Sequence, residues 1–188
     1  MIRLLIINAG DCYEPDLGGC LSDDAEVVEI SDRESLACGS KNRITFNEES
    51  LQKAIAENLP VDSVIINPGV IIKDDLQADC NRILTKILIA FKCIYQPLMR
   101  QRRGNLWVIS PVLKFSSENK DAEQMIMSIL SKGVASIAKI AAIELAKKGI
   151  HVNSIARESN SVGKKVVPFA LWASNQKDFY VTAQDFKF

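Results

Sequence analysis

Leu4 to Ile7 form an unbroken apolar run, preceded by Ile2 and closed by Asn8. A run without polar alternation predicts a strand covered on both faces, as in a parallel sheet. Similar short β-rich runs recur at 26–30, 43–46, 63–66, 104–110 and 150–155. Between them the apolar period lengthens to that of a helix. Asn47 can cap a helix whose first turn carries Glu48 and Glu49, with Leu51, Ala54, Ile55 and Leu59 as its buried stripe. A long helix is predicted over 75–102, where Ile83, Leu84, Ile87, Leu88, Phe91, Ile94, Tyr95, Leu98 and Met99 make a wide apolar face. A second spans 121–148, with Leu130, Val134, Ile137, Ala141 and Leu145 on one stripe and Ile129, Ser136, Ile140 and Ile143 beside it. That helix is apolar around more than half its circumference, so cover is expected from its own sheet and from something else. Lys147 and Lys148 suit its last turn, and Gly149 stops it. A further helix is predicted over 166–174, then a final strand around 179–184. Strand–helix alternation of this kind predicts a three-layer α/β sandwich with a parallel sheet, as one domain over 1–188.

Four segments carry a resemblance, in the same order as in the family they resemble. "KGVASIAKIAAIELAKKGIHVNSIA" is similar to the helix and strand after the catalytic tyrosine of short-chain dehydrogenases/reductases. "VIINPGV" (64–70) resembles that family's VNNAG turn, "PLMRQRRGNLWVIS" (97–110) its MrkrrGriVnisS segment, and "FALWASNQKDFYVTAQ" (169–184) its flaSd-x-asyvTGq ending. The resemblance implies a truncated Rossmann-like fold, since family members run to roughly 250 residues, a usual size for larger α/β domains. It also implies that the residues of catalysis are missing. The family's glycine-rich phosphate turn is replaced by Ala9-Gly10-Asp11-Cys12-Tyr13-Glu14-Pro15-Asp16. Gly10 remains, while Glu14 and Asp16 bring like charge to where a pyrophosphate would rest on a helix N-terminus. Asp32 stands where an acid would hold a ribose, with little left for it to serve. The catalytic serine falls on Pro111, with Ser110 one position early. The tyrosine falls on Met127 and the lysine on Ser131, with Lys132 one residue off and about 100° around the helix. No Tyr-x-x-x-Lys occurs anywhere in the chain. Where the family has Pro-Gly and a substrate lid, the chain has Arg157, Glu158 and a polar link, so a lid near 157–165 is expected to be deleted.

Composition removes several other classes. Lys plus Arg number 23 and Asp plus Glu 23, a net charge of zero, which offers nothing to nucleic acid or an anionic membrane. Five cysteines without CxxC spacing read as reduced thiols of a cytoplasmic protein. The sequence shows no stretch of about 20 consecutive apolar residues, so no membrane span is expected. His151, the single histidine, has no Cys, Asp or Glu cluster beside it and is expected to be structural; no metal and no cofactor are expected. Trp107 and Trp172 read as core or interface, and Arg100, Arg102, Arg103 and Lys120 as a solvated basic rim.

Together these imply a non-catalytic subunit. It would assemble with an active NAD(P)-dependent dehydrogenase or ketoreductase paralogue in a heterodimer or heterotetramer. Unequal-subunit dehydrogenases of the benzylsuccinyl-CoA pathway, and ketoreductases of fatty-acid or polyketide type, are settings the resemblance suggests. Ile87, Phe91, Tyr95, Val134, Ile137, Ala141 and Tyr180 are the expected interface residues. A stand-alone binding or regulatory protein on the same scaffold, and an enzyme of altered chemistry, remain open alternatives.

Overall fold

The computed structural model describes residues 1–9, 25–31, 40–43, 46–71, 76–113, 120–156, 165–176 and 180–188. The segment carrying Gly10, Glu14 and Asp16, the position of Asp32 and most of 157–165, where a deleted lid is expected, lie outside these residues.

Strands β1 (Ile2–Asn8), β2 (Ala25–Ser31), β3 (Ser40–Arg43), β4 (Ser63–Asn67), β6 (Gly104–Ile109), β8 (Ile150–Ala156) and β9 (Asp185–Lys187) form one parallel sheet, in the order β3-β2-β1-β4-β6-β8-β9. The order reverses direction between β1 and β4, as in a doubly wound nucleotide-binding sheet. Leu4 to Ile7 and Val64 to Ile66 are completely buried, as an unalternating apolar strand covered on both faces must be. The third strand lies three residues earlier than the sequence pattern suggests, and the last strand follows 179–184 rather than occupying it.

Helices α1 (Glu48–Glu57), α2 (Leu76–Gln101) and α3 (Lys120–Leu145) cover one face. Their buried residues meet Leu5, Ile7, Val28, Val64, Leu106 and Val152 in the larger core. Helix α4 (Val167–Asn175) covers the other face over Leu4, Ile6, Ile65, Trp107 and Ile155. The predicted cap is present: Asn47 accepts the amide of Ser50 at 2.9 Å. Helix α3 tightens into a 3-10 turn, Ala146–Lys148, and ends at Gly149 with φ 74°. A Cβ at that glycine would stand 3.1 Å from the Arg102 carbonyl oxygen, so both the turn and the close approach call for glycine. Cys93 is buried and donates to the Glu48 carbonyl at 3.7 Å; burial pushes its thiol up to about 11, which makes it inert at neutral pH.

The two family-like segments at 150–156 and near the chain's end are joined by hydrogen bonds. Asn153 is fully buried; its amide donates to the Val181 carbonyl and its oxygen accepts from the Gln184 amide. Thr182 Oγ1 accepts from the Val152 amide at 3.1 Å. The VN and the following T are therefore the two halves of a clamp that holds β9 on the sheet.

The stretch Gln124–Lys148 has the length and mean hydropathy (1.6) of a membrane span, although the sequence shows no unbroken apolar run of that length. Only 28% of that window is buried within the chain, because the helix is apolar on two faces and its own sheet covers one.

Candidate functional site

In a doubly wound sheet the ligand crevice lies beyond the carboxyl ends of the strands where the order reverses, here β1 and β4. Each of these strands ends in asparagine. Asn67 Nδ2 donates to Asn8 Oδ1 at 2.9 Å, and Asn8 Nδ2 donates to Glu29 Oε1 at 2.6 Å. Asn67 Oδ1 accepts from the Gly69 amide at 3.1 Å, which fixes the turn where Gly69 takes φ 75°. All three side chains are buried. The one asparagine kept from the family-like turn thus orders the turn and links three strands. The network itself was missed from sequence. Its signal was there: Asn8, Glu29 and Asn67 interrupt strands that are otherwise largely apolar at those depths.

Beyond the same edge, β5 (Val70–Ile71) and β7 (Val112–Leu113) pair in parallel, Val70 with Val112 and Ile71 with Leu113. The segments leaving β4 and β6 are therefore held together. Ser110, at the end of β6, is buried, and its hydroxyl lies 3.0 Å from that of Ser131 on α3. Pro111 is buried next to it, and Met127, one turn before Ser131, packs partly into the larger core. The structure thus brings the three family positions into one neighbourhood, with Ser110 rather than Pro111 facing the helix. What stands there is a hydroxyl pair and a thioether. Neither ionises near neutral pH, so neither can act as a tuned acid or base. Lys132 is exposed on the far side of the turn.

The helical face is the second feature. Ile87 and Val134 are fully buried and Phe91 is 8% exposed, so these expected interface residues belong to the chain's own core. Tyr95 donates to Glu144 Oε2 at 3.1 Å, linking α2 to α3 within the chain. Ile137 and Ala141 are half-buried against the core, and Tyr180 is exposed. The outward positions are others: Met125, Ile129, Ile140 and Ile143 on α3, between 58% and 70% exposed, and Leu88 on α2. At i, i+3 and i+4 spacing they continue through Ser136 and Gly133, where a Cβ would meet nothing within 4 Å. These outward apolar side chains form a stripe along one face of α3.

Trp107 is core, as expected. Trp172 is about half exposed, stacked on Phe169 at 5.8 Å. His151 lies on β8, edge-on to Tyr180 at 6.0 Å, and burial lowers its pKa below the ordinary histidine value. A depressed histidine pKa favours folding fully only above the unfolded value near 6.5. Stability is therefore expected to fall as pH drops from about 6.5 towards the folded pKa, and His151→Gln should flatten that slope in urea titrations run between pH 5 and 8. Among the described residues no group of three or more His, Cys, Asp or Glu side chains converges on a metal-sized space.

No family model and no curated protein matches the chain. Solved structures do. A short-chain dehydrogenase/reductase from Brucella ovis aligns over 100% of both chains at 13% identity with a TM-score of 0.69. A putative short-chain dehydrogenase/reductase from Burkholderia xenovorans aligns over 99% of this chain and 94% of its own, at 15% identity and a TM-score of 0.65. A tyrosine-to-phenylalanine variant of ElxO with NADPH bound aligns over 100% and 97%, at 14% identity and a TM-score of 0.71. The fold is that of the short-chain dehydrogenases/reductases.

Proposed function

We propose that this chain is a cytoplasmic, non-catalytic subunit that assembles with an active NAD(P)-dependent dehydrogenase or ketoreductase of the same fold. The observation that supports the reading is the outward apolar face of α3, with Leu88 beside it, on a scaffold where the expected catalytic positions fall on Pro111, Met127 and Ser131, with Ser110 beside them. A paralogue's matching helices, presented across a two-fold axis, are the surface that such a face fits. The carboxylates of Glu14 and Asp16, in the sequence that follows β1, argue against a bound pyrophosphate.

Two measurements test the proposal. Co-expression with neighbouring gene products, followed by mass measurement of the purified complex, should yield a hetero-oligomer with a full-length dehydrogenase. Calorimetric titration of the isolated chain with NADH or NADPH should show no binding up to about 1 mM. Micromolar affinity for either cofactor, or a chain that stays monomeric beside every neighbouring product, overturns it.

A further inference from the structure

The outward stripe of α3 has a charge pattern as well as an apolar one. Ser136 is its midpoint, with Ile129 and Ile143 each seven residues away. At about 100° per residue, Gly133 and Ile140 lie about 60° and 40° to one side of Ser136. Lys132 and Lys139 lie about 40° and 60° to the other side, and both are exposed. Neither lysine is in an ion pair among the described residues. Two long cationic side chains on one flank, two turns apart, thus border the apolar stripe.

Over the middle of the face no carboxylate balances them. Helix α3 has no Asp or Glu from Gln124 to Ile143, and α2 has none from Cys80 to Gln101, where Arg82, Lys86, Lys92 and Arg100 fall. Lys92 is answered from α1, by Glu48 at 2.8 Å. Glu144 lies about 80° from Ser136, on the Gly133 side, where it accepts from Tyr95. The chain as a whole is neutral, with 23 basic and 23 acidic residues, so the bias belongs to these helices and not to the composition.

Ser136 and Gly133 are the small residues of the stripe and allow the closest approach of another helix. An antiparallel second copy, related by a two-fold axis at Ser136, would bring the same flank of both helices together. Lys132 would then come opposite Ile140 of the other copy, beside its Lys139, and symmetry repeats the arrangement. Four ammonium groups would meet along one short stretch. Like charges placed across an interface select against that partner, and an acidic flank turns the same geometry into attraction.

Resting on the subunit reading above, we propose that the partner's matching helix carries Asp or Glu where it meets Lys132 and Lys139, so that this face pairs with the dehydrogenase paralogue in preference to a second copy of this chain. The apolar stripe supplies the contact and the two lysines choose the occupant, as flanking charges do between coiled helices.

Sedimentation velocity on the full chain, alone and with the co-expressed dehydrogenase, tests this. The chain alone should stay monomeric at concentrations where the hetero-complex is formed. Lys132→Glu combined with Lys139→Glu should weaken the hetero-complex at least about tenfold, and Lys132→Gln with Lys139→Gln should weaken it by less. The gap between native and doubly reversed chains should narrow as salt rises from about 0.05 M to about 0.5 M. Both lysines are exposed, so circular dichroism should be native in every variant. A hetero-complex that the double reversal leaves equally tight overturns the charge pairing alone, as does a native homodimer as tight as the hetero-complex. Absence of any complex between the native chain and a neighbouring dehydrogenase overturns the subunit reading, and this proposal with it.

Discussion

Ile140→Lys is expected to leave the isolated chain folded and to prevent the proposed assembly with an active paralogue. Ile140 is 65% exposed on α3, so in the free chain the substitution touches solvent and should change stability by no more than about 0.5 kcal/mol. A lysine there also stands four residues before Glu144, an attractive spacing. Once a partner helix covers the face, the same ammonium is buried without a counter-charge, which costs several kcal/mol, enough to weaken association by more than about a hundredfold. Native circular dichroism together with loss of co-purification is the expected pair of results. Phe91→Lys makes the contrast: Phe91 is buried in the chain's own core, so a charge there should unfold the free protein. Gly133→Ala sharpens the reading further. With nothing within 4 Å of the added methyl, it should stabilise the free helix by up to about 1 kcal/mol, yet weaken a complex in which another helix approaches at Gly133. If Ile140→Lys and Gly133→Ala both leave the complex intact, this face of α3 is not the contact.

Trp107→Ala should produce the largest loss of stability of any single substitution on the α4 face. Trp107 is fully buried in β6 and meets Phe169 of α4 at 5.2 Å and Phe186 of β9 at 5.8 Å, both edge-on. Phe169 in turn meets Phe186 and Phe188, each at 5.1 Å. One indole therefore seats both the single described helix of that face and the edge strand. Truncation removes the transfer free energy of the ring and leaves a cavity between three elements, a loss of about 3–5 kcal/mol. It also strips the Ser63 hydroxyl of the indole N–H that it accepts at 2.9 Å. Against a typical total of about 5–15 kcal/mol, this is a large fraction. Urea denaturation followed by circular dichroism measures it, and hydrogen exchange should show β9 opening first. Trp107→Phe keeps most of the packing and should cost markedly less. A loss below about 2 kcal/mol for the alanine variant would show that α4 and β9 are held by something other than this cluster.

Much of the architecture was legible in the residues. The apolar runs at 2–8, 63–66, 104–110 and 150–155 could satisfy both faces only as interior parallel strands, and the sheet places them side by side at its centre. Asn47, Gly149 and the long helical periods marked where α1 starts and where α2 and α3 run. The similarity of four segments to short-chain dehydrogenases pointed to the fold that the structure has. Local pattern could not decide which side of α2 turns inward. On α3 the pattern did separate the stripe of Leu130, Val134 and Leu145, which is buried, from Ile129, Ile140 and Ile143, which are exposed; on α2 it placed Ile87, Leu88 and Phe91 on one wide face, and on neither helix did it show that the buried stripe meets the chain's own sheet. Nor could it show that Asn8, Glu29 and Asn67 share one network, or that Asn105 lies beside His151. Register between parallel strands is set by crossovers and packing far along the chain, so those neighbours exist only in the folded molecule.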